Sequence, residues 1–263
     1  MTPSAARQAS ASVLNRVPSV TAAFWLIKLM AVTMGETAAD YLAVNLGLGL
    51  TVTSLIMTVV LVVALIIQFA QKRYVPWAYW LAVVLISVVG TLISDNLVDN
   101  LGVPLEVITA VFTVALVVTF AVWYASERTL SIHTIFTTRR ESFYWLAILF
   151  TFALGTSAGD LLAESFDLGY LTTGALFGAI IAVIAFAYYE LDLDGIAAFW
   201  LAYILTRPLG ASFGDLLSQP IEYGGLGFGT VYTSLIFLGC IVAIVVYLTN
   251  SKDHPAKMAT DVD

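Results

Sequence analysis

The sequence predicts an all-α integral membrane protein, whose eight transmembrane helices form four parallel two-helix repeats around a pseudo-symmetry axis. Three observations support this fold class: an apolar composition, eight separated apolar runs, and a motif that recurs along the chain. Of the 263 residues, 60% are hydrophobic and 11% are charged, and the mean hydropathy is +0.94. Soluble domains carry roughly 25% charged residues, so this composition is typical of a chain that lies in lipid.

Eight apolar runs divide the chain. They are 24–34, 51–69, 80–89, 107–124, 144–154, 173–188, 196–205 and 230–248. The even-numbered runs reach or approach the roughly 20 residues that cross a bilayer as a helix. The odd-numbered runs are shorter, so they span the membrane only if each helix continues through the polar segment that follows.

These runs also predict the organisation of the chain. Residues 1–20 are polar, lack the apolar segment of a secretory signal, and are expected to form a cytoplasmic tail. The membrane domain is expected at 21–248, and a second cytoplasmic tail at 249–263. The four repeats fall at about 21–75, 76–140, 141–195 and 196–248.

A tryptophan, a glycine ten residues later and an aspartate five residues after that recur four times. The sets are Trp25–Gly35–Asp40, Trp80–Gly90–Asp95, Trp145–Gly155–Asp160 and Trp200–Gly210–Asp215. The copies start 55, 65 and 55 residues apart, and such a period is the signature of a repeat architecture. In a helix the aspartates lie roughly 22 Å from the tryptophans. We expect the tryptophans to be anchors at the membrane interface, where indole rings are favoured.

The basic residues predict the orientation. Nine of the eleven Lys and Arg residues lie before helix 1, between helices 2 and 3, between helices 4 and 5, or after helix 8. They are Arg7, Arg16, Lys72, Arg73, Arg128, Arg139, Arg140, Lys252 and Lys257. By the positive-inside rule, both termini are cytoplasmic. With an even number of helices every repeat then has the same orientation, so the symmetry axis runs along the membrane normal.

Each repeat carries a pair of polar residues four positions apart, and one member of the pair is the repeat aspartate. The pairs are Glu36/Asp40, Asp95/Asp99, Asp160/Glu164 and Asp215/Gln219. Residues four apart share a helix face. Acids within a membrane normally face a cavity, a partner or an ion path. We therefore expect these eight side chains to form one layer that binds a cation or carries protons.

Two bases, Lys28 and Arg207, fall inside the apolar spans. They are predicted to act as tethered counter-ions that compete with a bound cation for the carboxylates, and so to switch the site between loaded and empty states. Pro208 is expected to kink or open helix 7. The repeat glycines are expected to let the helix backbones approach closely; they are Gly35, Gly90, Gly155 and Gly210.

Oxygen ligands without clustered His, Cys or Met suit hard cations such as Mn²⁺, Mg²⁺ or Ca²⁺. The candidate metal ligands are Asp40, Asp95, Asp160 and Asp215. The single cysteine, Cys240, excludes an internal disulfide and a thiolate metal site. We expect no resident cofactor. The chain lacks a basic patch interleaved with aromatics, so nucleic acid binding is not expected, and the spans carry no catalytic motif of a known enzyme class.

At these residues the chain resembles a bacterial family of membrane proteins that are built from four copies of a repeat of unknown function and often labelled membrane-anchored proteins. The matching stretches are Lys28–Asp40, Gly90–Asp95, Leu154–Asp160 and Thr206–Asp215. The resemblance covers roughly residues 17–248. It implies the same four-repeat membrane fold and little about chemistry.

The favoured functional hypothesis is a secondary transporter or exchanger in the bacterial inner membrane that handles a small cation. A divalent metal such as manganese leads, exchanged for protons. A second hypothesis is a proton-coupled transporter of an organic cation or other small solute. A third is a scaffold or sensor that transports nothing and whose acids only hold the bundle together. The expected partners are the lipid bilayer and the cation, and a homodimer is compatible with the sequence.

Overall fold

The computed structural model of the protein describes residues 15–258, and side chains as far as residue 250. The outer parts of the two predicted tails, 1–14 and 259–263, lie outside the described residues. So do Arg7 and the side chains of Lys252 and Lys257, which contributed to the predicted orientation.

Eight helices long and apolar enough to cross a membrane are found in the described part of the chain, as the sequence predicts. They are α1 Ala22–Asp40, α2 Leu50–Phe69, α3 Pro76–Asp95, α4 Leu105–Glu127, α5 Thr138–Asp160, α6 Gly169–Glu190, α7 Gly195–Ser218 and α8 Thr230–Met258. This confirms an all-helical, multi-pass membrane protein.

Three of the odd-numbered helices continue into a π-helical turn directly after the repeat aspartate. These turns are Tyr41–Asn45, Asn96–Asn100 and Leu161–Ser165. With them, α1, α3 and α5 become spans of 24, 25 and 28 residues. The expected continuation through the polar segment is therefore confirmed. The helix α7 lacks such a turn: it ends at Ser218, and Pro220 leads into a 3₁₀ turn at Ile221–Tyr223.

The odd-numbered helices form an inner ring, in which neighbours pack in the order α1, α3, α5, α7 and back to α1. Their membrane-spanning windows are 56–72% buried, against 17–22% for the even-numbered helices, which lie outside and present apolar side chains to lipid. Each outer helix packs chiefly on the inner helix of the next repeat: α2 on α3, α4 on α5, α6 on α7 and α8 on α1. The repeats are therefore interlocked rather than self-contained hairpins.

The repeat glycines set the close approach of the inner helices. A Cβ added to each of the first three glycines would clash with a residue of the next repeat, seven positions after the tryptophan of that repeat. A Cβ added to the fourth glycine would clash with the corresponding residue of the first repeat. The pairs are Gly35 with Ser87, Gly90 with Phe152, Gly155 with Arg207, and Gly210 with Val32. This cyclic rule closes the ring.

Three of the four repeat tryptophans do not lie at the membrane interface, contrary to expectation, whereas Trp25 is half-buried. Trp80, Trp145 and Trp200 are only 2–5% exposed, because they fill the interior of the ring at one end. They pack there with Tyr79, Tyr144 and Tyr203, whose rings lie against them. We call this the tryptophan end, and the opposite end the aspartate end.

The segment before α1 covers the tryptophan end. The Asn15 side chain donates to the carbonyl of Ile132 and accepts from the backbone of Ile135, so it bonds to the α4–α5 connection. Arg16 forms a 2.5 Å ion pair with the fully buried Glu141 of α5. These contacts and the aromatic side chains close the ring at this end.

The glycine rule predicts that Gly90→Ala destabilises the protein, because the new Cβ would lie 2.7 Å from the Cβ of Phe152. Overpacking of this kind costs about 1–3 kcal/mol, so the Tm in detergent should fall. The matched control is Gly239→Ala in the lipid-facing α8, where a Cβ meets no atom within 4 Å. Equal Tm values for the two variants would contradict the packing account.

Candidate functional site

Arg207 lies at the centre of the inner ring. Its side chain is fully buried, and it projects from α7 directly before Pro208. Gly155 on α5 provides the room, because a Cβ there would overlap the Arg207 side chain. The glycine that lets α5 approach α7 thus also leaves room for the arginine.

The Arg207 guanidinium contacts five oxygen atoms on the three other inner helices, through one ion pair and four hydrogen bonds. They are Glu36 Oε2 at 2.9 Å, Thr156 Oγ1 at 2.6 Å, Phe152 O at 3.3 Å, Val32 O at 3.4 Å, and Thr91 Oγ1. We call these five atoms the oxygen cage. Thr91 also donates to Glu36 Oε2 at 3.1 Å. Every inner helix therefore takes part in this one cluster.

The oxygen cage follows the repeat. Glu36, Thr91 and Thr156 each lie eleven residues after the tryptophan of their repeat, and the fourth such position is Ala211. Thr91 and Thr156 are not among the predicted site residues, because that prediction followed the charged side chains within the spans. The detectable signal is the polar residue that follows each repeat glycine in the first three repeats.

The Arg207–Glu36 pair must be compensated, because removing an ion from water into a protein interior costs several kcal/mol. Neither side chain has appreciable contact with water: they are 0% and 7% exposed. Two hydroxyl and two carbonyl oxygens also accept hydrogen bonds from the guanidinium, and such added hydrogen bonds help a buried pair to be tolerated.

Lys28 does not act as the counter-ion of a carboxylate. The side chain is fully buried, and its ammonium donates to the carbonyl of Tyr203 at 2.9 Å and to the hydroxyl of Thr206. It also lies 3.9 Å from the centre of the Tyr203 ring. In the described part of the chain, no carboxylate comes within ion-pair distance of Lys28, so the expected role holds in geometry for Arg207 alone.

The four repeat aspartates lie one helical turn beyond the level of Glu36, toward the aspartate end. All four are close enough to Glu36 for their charges to interact; they are Asp40, Asp95, Asp160 and Asp215. The structure thus brings the predicted layer together. Asp215 is buried, whereas the other three are half-buried.

The outer members of the layer lie at its rim. Asp99 and Glu164 are exposed, and Glu164 accepts a 3.4 Å hydrogen bond from Tyr170. Gln219 donates to Asp40 Oδ2 at 3.4 Å. Among the described residues, no group donates a hydrogen bond to the carboxylates of the three other repeat aspartates, which leaves them available to water or a ligand.

The structure does not form the predicted four-aspartate metal site. Within residues 15–250, no three Asp, Glu, His or Cys side chains are arranged to hold one metal ion. Each aspartate lies on a different helix of the ring.

A cavity of about 490 Å³ opens at the aspartate end where the symmetry of the repeats is broken. Its wall includes Glu164, Tyr170, Gln219 and Tyr223, and lies where α7 lacks the π-helical turn of the other repeats. Because Gln219 also contacts Asp40, this cavity borders the aspartate layer.

The ion pair predicts a strong effect of Glu36→Gln, because Arg207 would stay buried without its counter-ion. We expect the free energy of unfolding to fall by about 3–5 kcal/mol, measured by denaturant titration in detergent micelles. Asp99→Asn, at the exposed rim, is the control and should leave stability unchanged.

Combining Glu36→Gln with Arg207→Met should recover part of the loss, since no unpaired charge remains buried. Additive losses in this double variant would mean that the two residues are not coupled.

Comparison with known families finds the same period. One family model matches the chain four times, at residues 23–74, 78–129, 143–192 and 198–253. Each match contains one inner and one outer helix, in agreement with the repeats predicted from the tryptophans. No curated protein and no solved structure matches the chain significantly. The chain therefore belongs to the family described as Repeat of Unknown Function (DUF347), of which it carries four copies.

Proposed function

We propose that this protein is a proton-coupled secondary transporter of a small cation and not an enzyme. The observation that carries the proposal is the pairing of two features on one axis. A layer of carboxylates, in which three of the four repeat aspartates accept no hydrogen bond from a described residue, lies directly in front of a single buried ion pair. The layer attracts cations, and the ion pair forms the barrier behind it.

The closed and open ends support alternating access. Aromatic side chains and the segment around Arg16 close the tryptophan end, whereas three of the repeat aspartates are half-buried at the other end. A conformation of this kind admits a cation from the aspartate side alone. The positive-inside rule predicts that this side faces away from the cytoplasm.

Competition between the cation and Arg207 for Glu36 would couple cation binding at the carboxylate layer to opening of the buried ion pair. A cation that reaches Glu36 displaces Arg207, because one carboxylate cannot neutralise two positive charges in a buried site. Asp160 lies within electrostatic range of Arg207 and is therefore the residue that would receive the displaced guanidinium. Glu36 is then paired with one positive charge in both states, the cation in the loaded state and Arg207 in the empty state. Neither state therefore leaves the buried Glu36 carboxylate without a counter-ion.

Protons are the natural coupling ion for a carboxylate layer. Chains of intramembrane acids serve as proton relays in pumps and transporters. When the cation leaves, protons bound to the aspartates relieve the repulsion among their carboxylates. Exchange of cation for proton thus preserves the charge of the layer through the cycle.

The other two hypotheses make different demands on this geometry. A scaffold requires acids whose partners satisfy them, and three of the repeat aspartates have no hydrogen-bond donor among the described side chains. An organic cation remains the second candidate, because Tyr170 and Tyr223 line the cavity beside Glu164. Aromatic faces with a nearby carboxylate are a recurring means of binding such cations.

In proteoliposomes, Asp95→Asn and Asp160→Asn should reduce cation-driven proton flux to near the background level, because each removes a charge from the layer. The assay follows an internal pH dye while Na⁺, K⁺, Mn²⁺ or an alkylammonium ion is added outside. Asp192→Asn, in the exposed α6–α7 connection, is the matched control. Wild-type flux in both layer variants would defeat the proposal.

A further inference from the structure

We infer that the oxygen cage is the central substrate site, that Arg207 occupies it as an internal substitute for the substrate, and that the cage accepts one monovalent cation. The inference rests on the proposed function and names its substrate class. It concerns the site that Arg207 fills, which lies deeper than the aspartate layer.

The cage has the ligands of a cation site. Its five acceptors are one carboxylate oxygen, two hydroxyl oxygens and two backbone carbonyl oxygens, all of which point at one group from three helices. Oxygen ligands of these kinds bind hard cations. The guanidinium that they hold now is itself a monovalent cation.

The charge of the cage selects the charge of the ligand. Glu36 is the one carboxylate among the five acceptors, so the cage is neutral when it holds a single positive charge. A divalent ion would leave a net positive charge in a buried site, at a cost of several kcal/mol. Calcium and manganese sites usually offer more than one carboxylate.

The asymmetry of the fourth repeat fits this arrangement. The first three repeats provide an oxygen-bearing side chain at the eleventh position after the tryptophan, and the fourth has Ala211 there. The fourth repeat instead contributes the cation, from Arg207. Pro208 lacks a backbone N–H, so the helix is weakened directly beside the residue that has to move.

The direct test vacates the cage in purified Arg207→Ala protein. Its Tm in detergent is measured with guanidinium, sodium, potassium, magnesium or manganese chloride, and choline chloride provides the same ionic strength. We expect a rise of several degrees with at least one of guanidinium, Na⁺ and K⁺ over choline. The double variant Glu36→Gln/Arg207→Ala should lose this rise, and wild-type protein, in which the cation must first displace Arg207 from the cage, should show a smaller one.

Two results would overturn the inference. One is that no monovalent cation raises the Tm of Arg207→Ala protein over choline. The other is that Mg²⁺ or Mn²⁺ raises this Tm more than any of the monovalent cations does. Binding to the vacated cage without any flux through wild-type protein would instead contradict the proposed function and leave the cage assignment intact. The two claims therefore fail separately.

A second variant keeps the test decisive if Arg207→Ala does not fold. Thr156→Val removes one cage oxygen and retains Arg207, so the sodium or rubidium concentration for half-maximal uptake should change by roughly fivefold, the value of one neutral hydrogen bond. The matched control is Thr151→Val in the same helix, whose buried hydroxyl has no hydrogen-bond partner. Equal effects of the two substitutions would also overturn the assignment.

Discussion

The ion pair between Arg207 and Glu36 is the constraint around which the inner ring is built. A guanidinium can remain in the middle of a membrane protein only if its charge and its hydrogens are all compensated. Here one carboxylate supplies the charge, and oxygens of α1, α3 and α5 supply the acceptors. The arginine thereby ties all four repeats to one point, which interlocked outer helices and close glycine contacts hold in place.

The same pair gives the molecule an asymmetry that its repeats alone would lack. Four equal units would place four equal side chains on the axis. Instead, the fourth repeat contributes a base, has Ala211 where the others have oxygen ligands, and ends without a π-helical turn. The cavity beside Gln219 lies at this irregular repeat. Symmetry therefore places an aspartate on each inner helix, and its breaking places Arg207 in the ring and the cavity beside Gln219.

Much of the fold could be predicted from the sequence, because the eight apolar runs predict the helix count and the tryptophan–glycine–aspartate period predicts the level of each acid. The period also predicted the close glycine contacts, although not which residue each glycine meets. Three features could not be predicted from this period. Trp80, Trp145 and Trp200 are buried because they fill the ring interior at the tryptophan end. Lys28 turns to a carbonyl and an aromatic ring, and Thr91 and Thr156 matter only once a guanidinium is placed between them.

The most direct test of the account is a crystal structure of the protein grown with rubidium, with the ion located from its anomalous signal. The account predicts a peak between Glu36, Thr91 and Thr156, with the Arg207 guanidinium moved toward Asp160. If Arg207 stays on Glu36 at saturating rubidium and no peak is found inside the ring, the central claim of a cation path through this ion pair is contradicted.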